Sequence, residues 1–376
     1  MSDSRKSKKF RITVISLICT AAVLAGAGGT LYYFDVQRHQ QNISNAVKEV
    51  PLAELPELVI EPNYDPNRPV YEPSGKFTVN TSKFSDKIYK NLIKDVRAEY
   101  SVLYDMTTDE ILFEENADKK CYPASTTKLL TAIVATKIIT DPDTVITVGN
   151  EIKMIGEESS TAGLKIGMKL TFSDLMDAMM LPSGNDAAYA MAVNCSRIYK
   201  NDPKMSNKDA LNFFVELMNE AAQQLGAVNS KFVNPDGWHS PNHYTTAKDL
   251  AKISAYAKSV PIIAKSCSTH YAERELVKGG TMYWVNGNLM LNDYYNCYSK
   301  FCDGLKTGFT DEAGSCIISS ATVDDHVMIA VIMDGYDGYA KYDDANLLFT
   351  RGYKLYRLSY RYGVPNSQAG KPRLIS

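Results

Sequence analysis

Residues 316–333 read CIISSATVDDHVMIAVIM and contain two strand-like runs. The runs, 316–323 and 327–333, are rich in β-branched and other apolar residues, and the polar residues 324–326 separate them. Runs of this length and composition on either side of a short polar turn are typical of paired antiparallel strands. The segment therefore predicts a β-hairpin near the end of the chain.

Another hairpin and a series of helices precede these strands. A strand-turn-strand pattern covers 100–113, with its turn at 107–109. Helices are predicted from Ser125 to about Lys137, after the capping residues Thr171, Ser206 and Thr246, from the N-cap Asn185 onwards, and over 344–356. Because strands come first and last, the order favours an α+β fold, an antiparallel β-sheet flanked by helices with a mostly helical subdomain.

The N-terminal 34 residues have the pattern of a membrane segment. Residues 1–11 are rich in lysine and arginine, and 12–34 are uncharged and largely apolar. About 20 apolar residues suffice to cross a bilayer as a helix, and flanking basic residues stay in the cytoplasm. We expect a single-pass transmembrane signal-anchor at 12–34, with the rest of the chain outside the cell. The alternative is a signal peptide cleaved near the small residues 25–27, which would give a secreted protein.

The remaining chain divides into three parts by composition. Residues 35–86 are polar and carry six prolines, a composition that favours an extended, semi-rigid linker. Residues 87–362 hold the predicted strands and helices and form the globular domain. Residues 363–376 are a short C-terminal tail.

Charge and cysteine content exclude some classes of function and leave others open. The formal net charge is -2, so no broad basic surface indicates a nucleic-acid partner. Six cysteines follow the apolar segment, and an even number in an exported domain permits disulfides. Buried free thiols are an equally good interpretation. The spacing lacks the repeated C-x-x-C pattern of zinc sites.

Ser125-Thr126-Thr127-Lys128 is the first motif with catalytic chemistry. A serine hydroxyl is a weak nucleophile, and a lysine one helical turn later can act as its base. Ser125 is the only serine in the chain with a lysine three positions later. Because it begins a helix, its backbone N–H can also stabilise an oxyanion. The alternative is an ordinary helix start with a solvated lysine.

Lys306-Thr307-Gly308 supplies the second motif. A lysine serves as a base near neutral pH only if burial and a neighbouring positive charge lower its pKa, and a second lysine provides that charge. Lys306 and Thr307 can also bind a terminal carboxylate, and Gly308 lets a substrate backbone approach.

The third motif is a Ser-x-Asn sequence, for which the chain offers two candidates. We prefer Ser183-Gly184-Asn185, which lies at a junction between two predicted helices. There Ser183 can relay a proton to the leaving group, and Asn185 can hold Lys128 and a substrate amide. Ser240-Pro241-Asn242 lies in a long polar loop and is better interpreted as a surface turn.

These three motifs, in this order, resemble the signatures shared by penicillin-binding proteins and serine β-lactamases. The flanking residues are similar to those of the low-molecular-mass D-alanyl-D-alanine carboxypeptidases, in the segments 122–128, 183–187, 234–237, 243–250 and 303–310. The resemblance covers roughly residues 95 to 362 and implies the β-lactamase/transpeptidase-like fold for the domain 87–362.

The resemblance implies acyl transfer on peptidoglycan stem peptides that end in D-Ala-D-Ala. Ser125 would attack the peptide carbonyl and release D-alanine, water would then cleave the acyl-enzyme, and β-lactams would acylate the same serine. Lys306, Thr307, Gly308 and Phe309 would bind the substrate, with the backbone N–H groups of Ser125 and Phe309 as oxyanion hole. Neither a metal nor an organic cofactor is implied.

Three other interpretations remain open. A class A-like β-lactamase needs a carboxylate for the deacylating water, and Glu216 is the nearest candidate, although it lies in an amphipathic helix. A non-catalytic module that binds β-lactams or cell wall would keep the fold without turnover. Endopeptidase action on crosslinks uses the same chemistry. We interpret His243 as a structural residue rather than a catalytic base.

Overall fold

The computed structural model describes residues 68–79 and 95–362. The predicted cytoplasmic segment 1–11, signal-anchor 12–34 and tail 363–376 lie outside the described residues, as does most of the predicted linker. Within the described ranges, no helix is both long enough and apolar enough to cross a bilayer.

A six-stranded sheet forms the centre of the domain, with the strand order β1-β3-β2-β10-β9-β8. The strands are β1 (Thr78–Val79), β2 (Tyr100–Asp105), β3 (Glu110–Glu115), β4 (Val145–Thr147), β5 (Lys169–Thr171), β6 (Tyr271–Glu275), β7 (Thr281–Val285), β8 (Cys302–Thr310), β9 (Gly314–Val323) and β10 (His326–Gly335). Neighbouring strands are antiparallel except β1 and β3, which run parallel. The mixed α+β fold and both predicted hairpins are confirmed. Strands β4–β5 and β6–β7 form two separate two-stranded sheets.

Seven α-helices are described, and six of them come between β1 and β10 along the chain. They are α1 (Lys128–Ile138), α2 (Phe172–Met180), α3 (Asn185–Lys200), α4 (Asn207–Gln224), α5 (Ala247–Ser259), α6 (Pro261–Ser268) and α7 (Ala340–Leu355). The predicted caps of three helices are confirmed. Thr171, Ser206 and Thr246 each accept a hydrogen bond from the backbone N–H three residues later.

Strand β10 shows why the sheet is covered on both faces. Its side chains alternate, so that Ile329 and Val331 belong to one hydrophobic core and Ala330 and Ile332 to the other. The first core contains the apolar residues of α1 to α6, and the second contains those of α7. A strand buried on both faces needs a continuous apolar sequence, and this is what made residues 327–333 recognisable.

Several boundaries differ from the predictions. The helix predicted from Ser125 begins with a 3-10 turn, Ala124–Thr127, and becomes α-helical at Lys128. The N-cap of α3 is Gly184 rather than Asn185, which is the first helical residue. The hairpin β6–β7 was not predicted, because it is short, rich in charged residues and half exposed.

The described part of the predicted linker packs against the domain. Tyr71 and Phe77 are buried, and the Phe77 ring stacks on Tyr104 with 4.4 Å between ring centroids. Arg68 forms ion pairs with Glu216 at 2.7 Å and Glu220 at 3.2 Å. Residues 68–79 of the predicted linker therefore contact the domain, because aromatic residues among the prolines bury apolar surface on it.

The six cysteines of the described residues are free thiols, and all are buried. Of the two interpretations that the sequence left open, the structure has the free thiols. Burial raises the pKa of each thiol above its ordinary value, so these side chains behave as small apolar residues.

Candidate active site

Ser125 lies in the 3-10 turn that leads into α1. Thr126 is buried and its Oγ1 donates to the carbonyl oxygen of Pro123 at 2.6 Å, which fixes the turn. Ser125 is half-buried, whereas its neighbours Ala124 and Thr126 are buried. In this turn Ser125 is therefore partly accessible to solvent, although the residues on either side of it are buried.

Lys128 is fully buried and its ammonium nitrogen has three oxygen partners. Nζ lies 2.8 Å from Ser125 Oγ, 2.7 Å from Asn185 Oδ1 and 2.9 Å from the carbonyl oxygen of Asp236. Burial lowers the pKa of Lys128 to about 8, although the charges of Asp236 and Asp186 favour the protonated form. A lysine with this pKa is partly neutral near physiological pH and can accept a proton from Ser125.

The residues that lead into α3 form the Ser183-Gly184-Asn185 motif. Asn185 is buried and points its Oδ1 at Lys128, as the sequence predicted. Ser183 has a φ of +61°, a left-handed conformation that is uncommon for serine. Its hydroxyl has no hydrogen-bond partner among residues 68–79 and 95–362. The relay role of Ser183 therefore stays a prediction.

Strand β8 contains the Lys306-Thr307-Gly308 motif. Lys306 is buried and donates to the carbonyl oxygen of Thr307 at 3.0 Å. Burial and the charge of Lys128 hold the pKa of Lys306 well below its usual range. Burial, rather than the charge of Lys306, is the main cause of the lowered pKa of Lys128.

Two glycines bring separate backbones against the Ser125 peptide. A Cβ placed on Gly308 would lie 3.0 Å from the Ser125 nitrogen. A Cβ on Gly237 would lie 2.9 Å from the same nitrogen and 1.8 Å from the Ala124 carbonyl oxygen. Strand β8 and the loop 234–238 therefore both pack against the Ala124–Ser125 backbone, and only glycine permits so close an approach at either point.

A match to a family model covers residues 87–337, and its description is peptidase S11, D-alanyl-D-alanine carboxypeptidase. The chain belongs to this family. Among its relatives, the D-alanyl-D-alanine carboxypeptidase DacA of Escherichia coli K12 is 30% identical over 289 residues. The alignment covers 74% of this chain and 66% of DacA.

Two solved structures have the same fold as this chain. The Streptomyces K15 DD-transpeptidase is 27% identical, with a TM-score of 0.63, and the match covers 69% of this chain and 98% of that one. Penicillin-binding protein D2 of Listeria monocytogenes, solved in an ampicillin-bound form, is 25% identical with a TM-score of 0.55 and the same coverage.

The 234–238 loop of this family member contributes a contact that sequence reasoning missed. Asn234 Oδ1 accepts from the Gly237 N–H at 2.8 Å, and its Nδ2 donates to the Trp238 carbonyl at 2.8 Å. These bonds fix the loop so that the Asp236 carbonyl meets Lys128. In the sequence, residues 234–237 carried only a resemblance to the family. A contact made by a backbone carbonyl has no side-chain signature.

His243 is a structural residue, as the sequence analysis proposed. Its Nε2 lies 2.9 Å from Thr127 Oγ1, and its Nδ1 accepts from the Val233 N–H at 3.3 Å. Burial and the charge of His239 lower the pKa of His243 to about 3, so the ring is neutral. Both ring nitrogens are engaged away from Ser125, which leaves no nitrogen free to act as its base.

The remaining candidates take part in ordinary surface contacts. Glu216 is half exposed in α4 and forms an ion pair with Arg68 at 2.7 Å. Ser240 Oγ accepts from the Asn242 N–H at 3.3 Å, which is the local bond of a polar turn. The site is therefore built by Ser125, Lys128 and Asn185 together with strand β8 and the Asp236 carbonyl.

Proposed function

We propose that this chain is a serine D-Ala-D-Ala carboxypeptidase that removes the terminal D-alanine from peptidoglycan stem peptides. The observation that carries the proposal is the 2.8 Å contact between Lys128 Nζ and Ser125 Oγ in a water-poor site. With a pKa of about 8, roughly a tenth of the Lys128 side chains are neutral at pH 7. Family membership supports the same reaction.

In the acylation step, neutral Lys128 takes the proton of the Ser125 hydroxyl while Oγ bonds to the carbonyl carbon between the two D-alanines. The carbonyl electron pair moves to its oxygen, which the N–H groups of Ser125 and Phe309 would stabilise. The C–N bond then breaks, and the leaving amine receives the proton, for which the Ser183 hydroxyl is the proposed relay. Water subsequently hydrolyses the ester.

The terminal carboxylate of the substrate is proposed to bind Lys306 and Thr307. A buried lysine with a lowered pKa gains a proton readily when an anion arrives, because the opposite charge stabilises the ammonium. Gly308 and Phe309 would place the substrate backbone along strand β8, which is an edge strand of the sheet. β-Lactams present a similar carboxylate and an acyl carbon, so they should acylate Ser125.

Release of D-alanine from a diacetyl-lysyl-D-Ala-D-Ala peptide tests the proposal. The native chain should release D-alanine and Ser125→Ala should release none above background, because the nucleophile is removed. No release by the native chain, together with reversible β-lactam binding that Ser125→Ala retains, would support a non-catalytic module. Rapid penicillin turnover without a long-lived adduct would support a β-lactamase.

We also propose that residues 12–34 anchor the protein in the cell membrane with the domain on the outer side. The lysines and arginines of 1–11 beside an uncharged apolar segment support this orientation. The full chain should be found in the membrane fraction, and protease added to intact spheroplasts should digest the domain. A mature protein that starts after residue 27 and leaves the membrane would instead indicate a cleaved signal peptide.

A further inference from the structure

The charges of two buried carboxylates, Asp186 and Asp236, act on Lys128, and the two groups differ in their hydrogen-bond partners. Asp186 accepts three hydrogen bonds from the backbone N–H groups of Ala162, Leu164 and Ala187. Asp236 is equally buried, and its Oδ1 accepts from the Trp238 N–H at 3.1 Å. Its Oδ2 has no partner within the described ranges.

An unsatisfied buried carboxylate oxygen is costly, and most native proteins avoid one. The loop 234–238 is otherwise tightly bonded, so poor local packing does not account for it. The residue also presents its own carbonyl oxygen to Lys128 Nζ at 2.9 Å, which keeps its charge close to that nitrogen. This placement points to a role in the proton transfer.

We propose that the Asp236 carboxylate is a positioning residue that stabilises the Lys128 ammonium formed when Ser125 gives up its proton. This inference rests on the proposed function. During acylation the Ser125 proton moves to Lys128, Oγ bonds to the acyl carbon, and the site gains a buried positive charge. An opposite charge already fixed in the protein stabilises that ammonium without reorganisation.

Several charged groups near Lys128 influence its protonation. The charged groups that face it are Asp236 from the loop, Asp186 from α3 and Lys306 from β8. Asp236 in turn faces Lys128 and the phenol of Tyr189. Burial raises the pKa of Asp236, and the charge of Lys128 opposes this shift, so each group favours the charged form of the other.

The test is the pH dependence of β-lactam acylation in Asp236→Asn, measured as covalent adduct formation on the full chain. Asparagine keeps the shape and the Trp238 contact but removes the charge. Without that charge Lys128 loses its proton at lower pH, so the acid-side midpoint should fall by about one pH unit. A weaker base should also lower the rate at alkaline pH by about threefold to tenfold.

Asp249→Asn is the matched control. Asp249 is just as buried, accepts from the Asn229 N–H and the Ser230 hydroxyl, and pairs with Lys252 at 3.3 Å. It is not among the charged groups that act on Lys128. Its variant should leave the midpoint in place, and a midpoint that moves in both variants would overturn the proposal.

An unchanged midpoint in a folded Asp236→Asn protein would show that Asp236 only shapes the loop, and would also overturn the proposal. If circular dichroism shows that this variant does not fold, Asp236→Ser gives the same readout, since its hydroxyl can accept from Trp238. The proposed function fails separately, when the native chain itself forms no adduct on Ser125.

Discussion

The start of helix α1 and strand β8 each bury one lysine of the candidate site, but they surround it differently. Lys128 has three oxygen partners, whereas Lys306 has one acceptor within the described part of the chain, the Thr307 carbonyl. Burial lowers the pKa of both side chains. Burial lowers the pKa of a lysine and so lets it exist in the neutral form. Its fixed hydrogen-bond partners then determine whether it serves as a base, as proposed for Lys128, or binds an anion, as proposed for Lys306.

The largest effect should come from removing the lysine with three partners. Lys128→Met should slow β-lactam acylation of Ser125 by about 10³-fold, because a positioned general base contributes factors of this size. The time course of adduct formation by intact mass measures it. Lys252→Met, which removes an ion-paired lysine of α5, is the control and should acylate at the native rate. If Lys128→Met acylates at a rate within tenfold of the native rate, Lys128 is not the base and the distinction between the two lysines fails.

Lys306→Met should have a smaller and substrate-dependent effect. Loss of a charge-assisted bond to the terminal carboxylate should lower kcat/KM for a D-Ala-D-Ala peptide by about 30-fold. The same peptide with a C-terminal amide lacks that carboxylate, so native and variant proteins should process it at similar, low rates. An equal decrease in kcat/KM on both peptides would show that Lys306 does not bind the terminal carboxylate.

The approach of the 234–238 loop to Ser125 can be tested by a pair of glycines with the same backbone angle. Gly237 and Gly167 both have a φ of +88°, but only at Gly237 would a Cβ meet other atoms. Gly237→Ala should cost about 3 kcal/mol or more in the free energy of unfolding, and Gly167→Ala about 1 kcal/mol. Urea unfolding measures the free energy of unfolding of both variants. An equal decrease in the two would contradict the close contact between Gly237 and the Ala124–Ser125 backbone.

The sequence predicted the parts of this site that depend on side-chain spacing. Ser125 and Lys128 lie one helical turn apart, and Asn185 follows a helix junction, so their residue types and positions carried the signal. The apolar runs of β9 and β10 were equally visible, since strands buried on both faces need such sequences. Each of these features is local in the chain.

Features that depend on contacts between distant segments could not be predicted. Strand β8 has two glycines and three polar or charged residues between Cys302 and Gly308, so its composition did not indicate a strand. The burial of Tyr71 and Phe77 depends on surfaces that form only when the domain folds. The same holds for the Asp236 carbonyl, which meets Lys128 from 108 residues away.

The rate of penicillin acylation of Ser125 as a function of pH tests the central claim most directly. A protonated Lys128 cannot take the Ser125 proton, so the rate should be lost as the pH falls through the pKa of this lysine. We expect a rise with a midpoint near pH 8 and an adduct that maps to the peptide containing Ser125. A rate independent of pH between about 6 and 10, or an adduct on another peptide, would contradict the account.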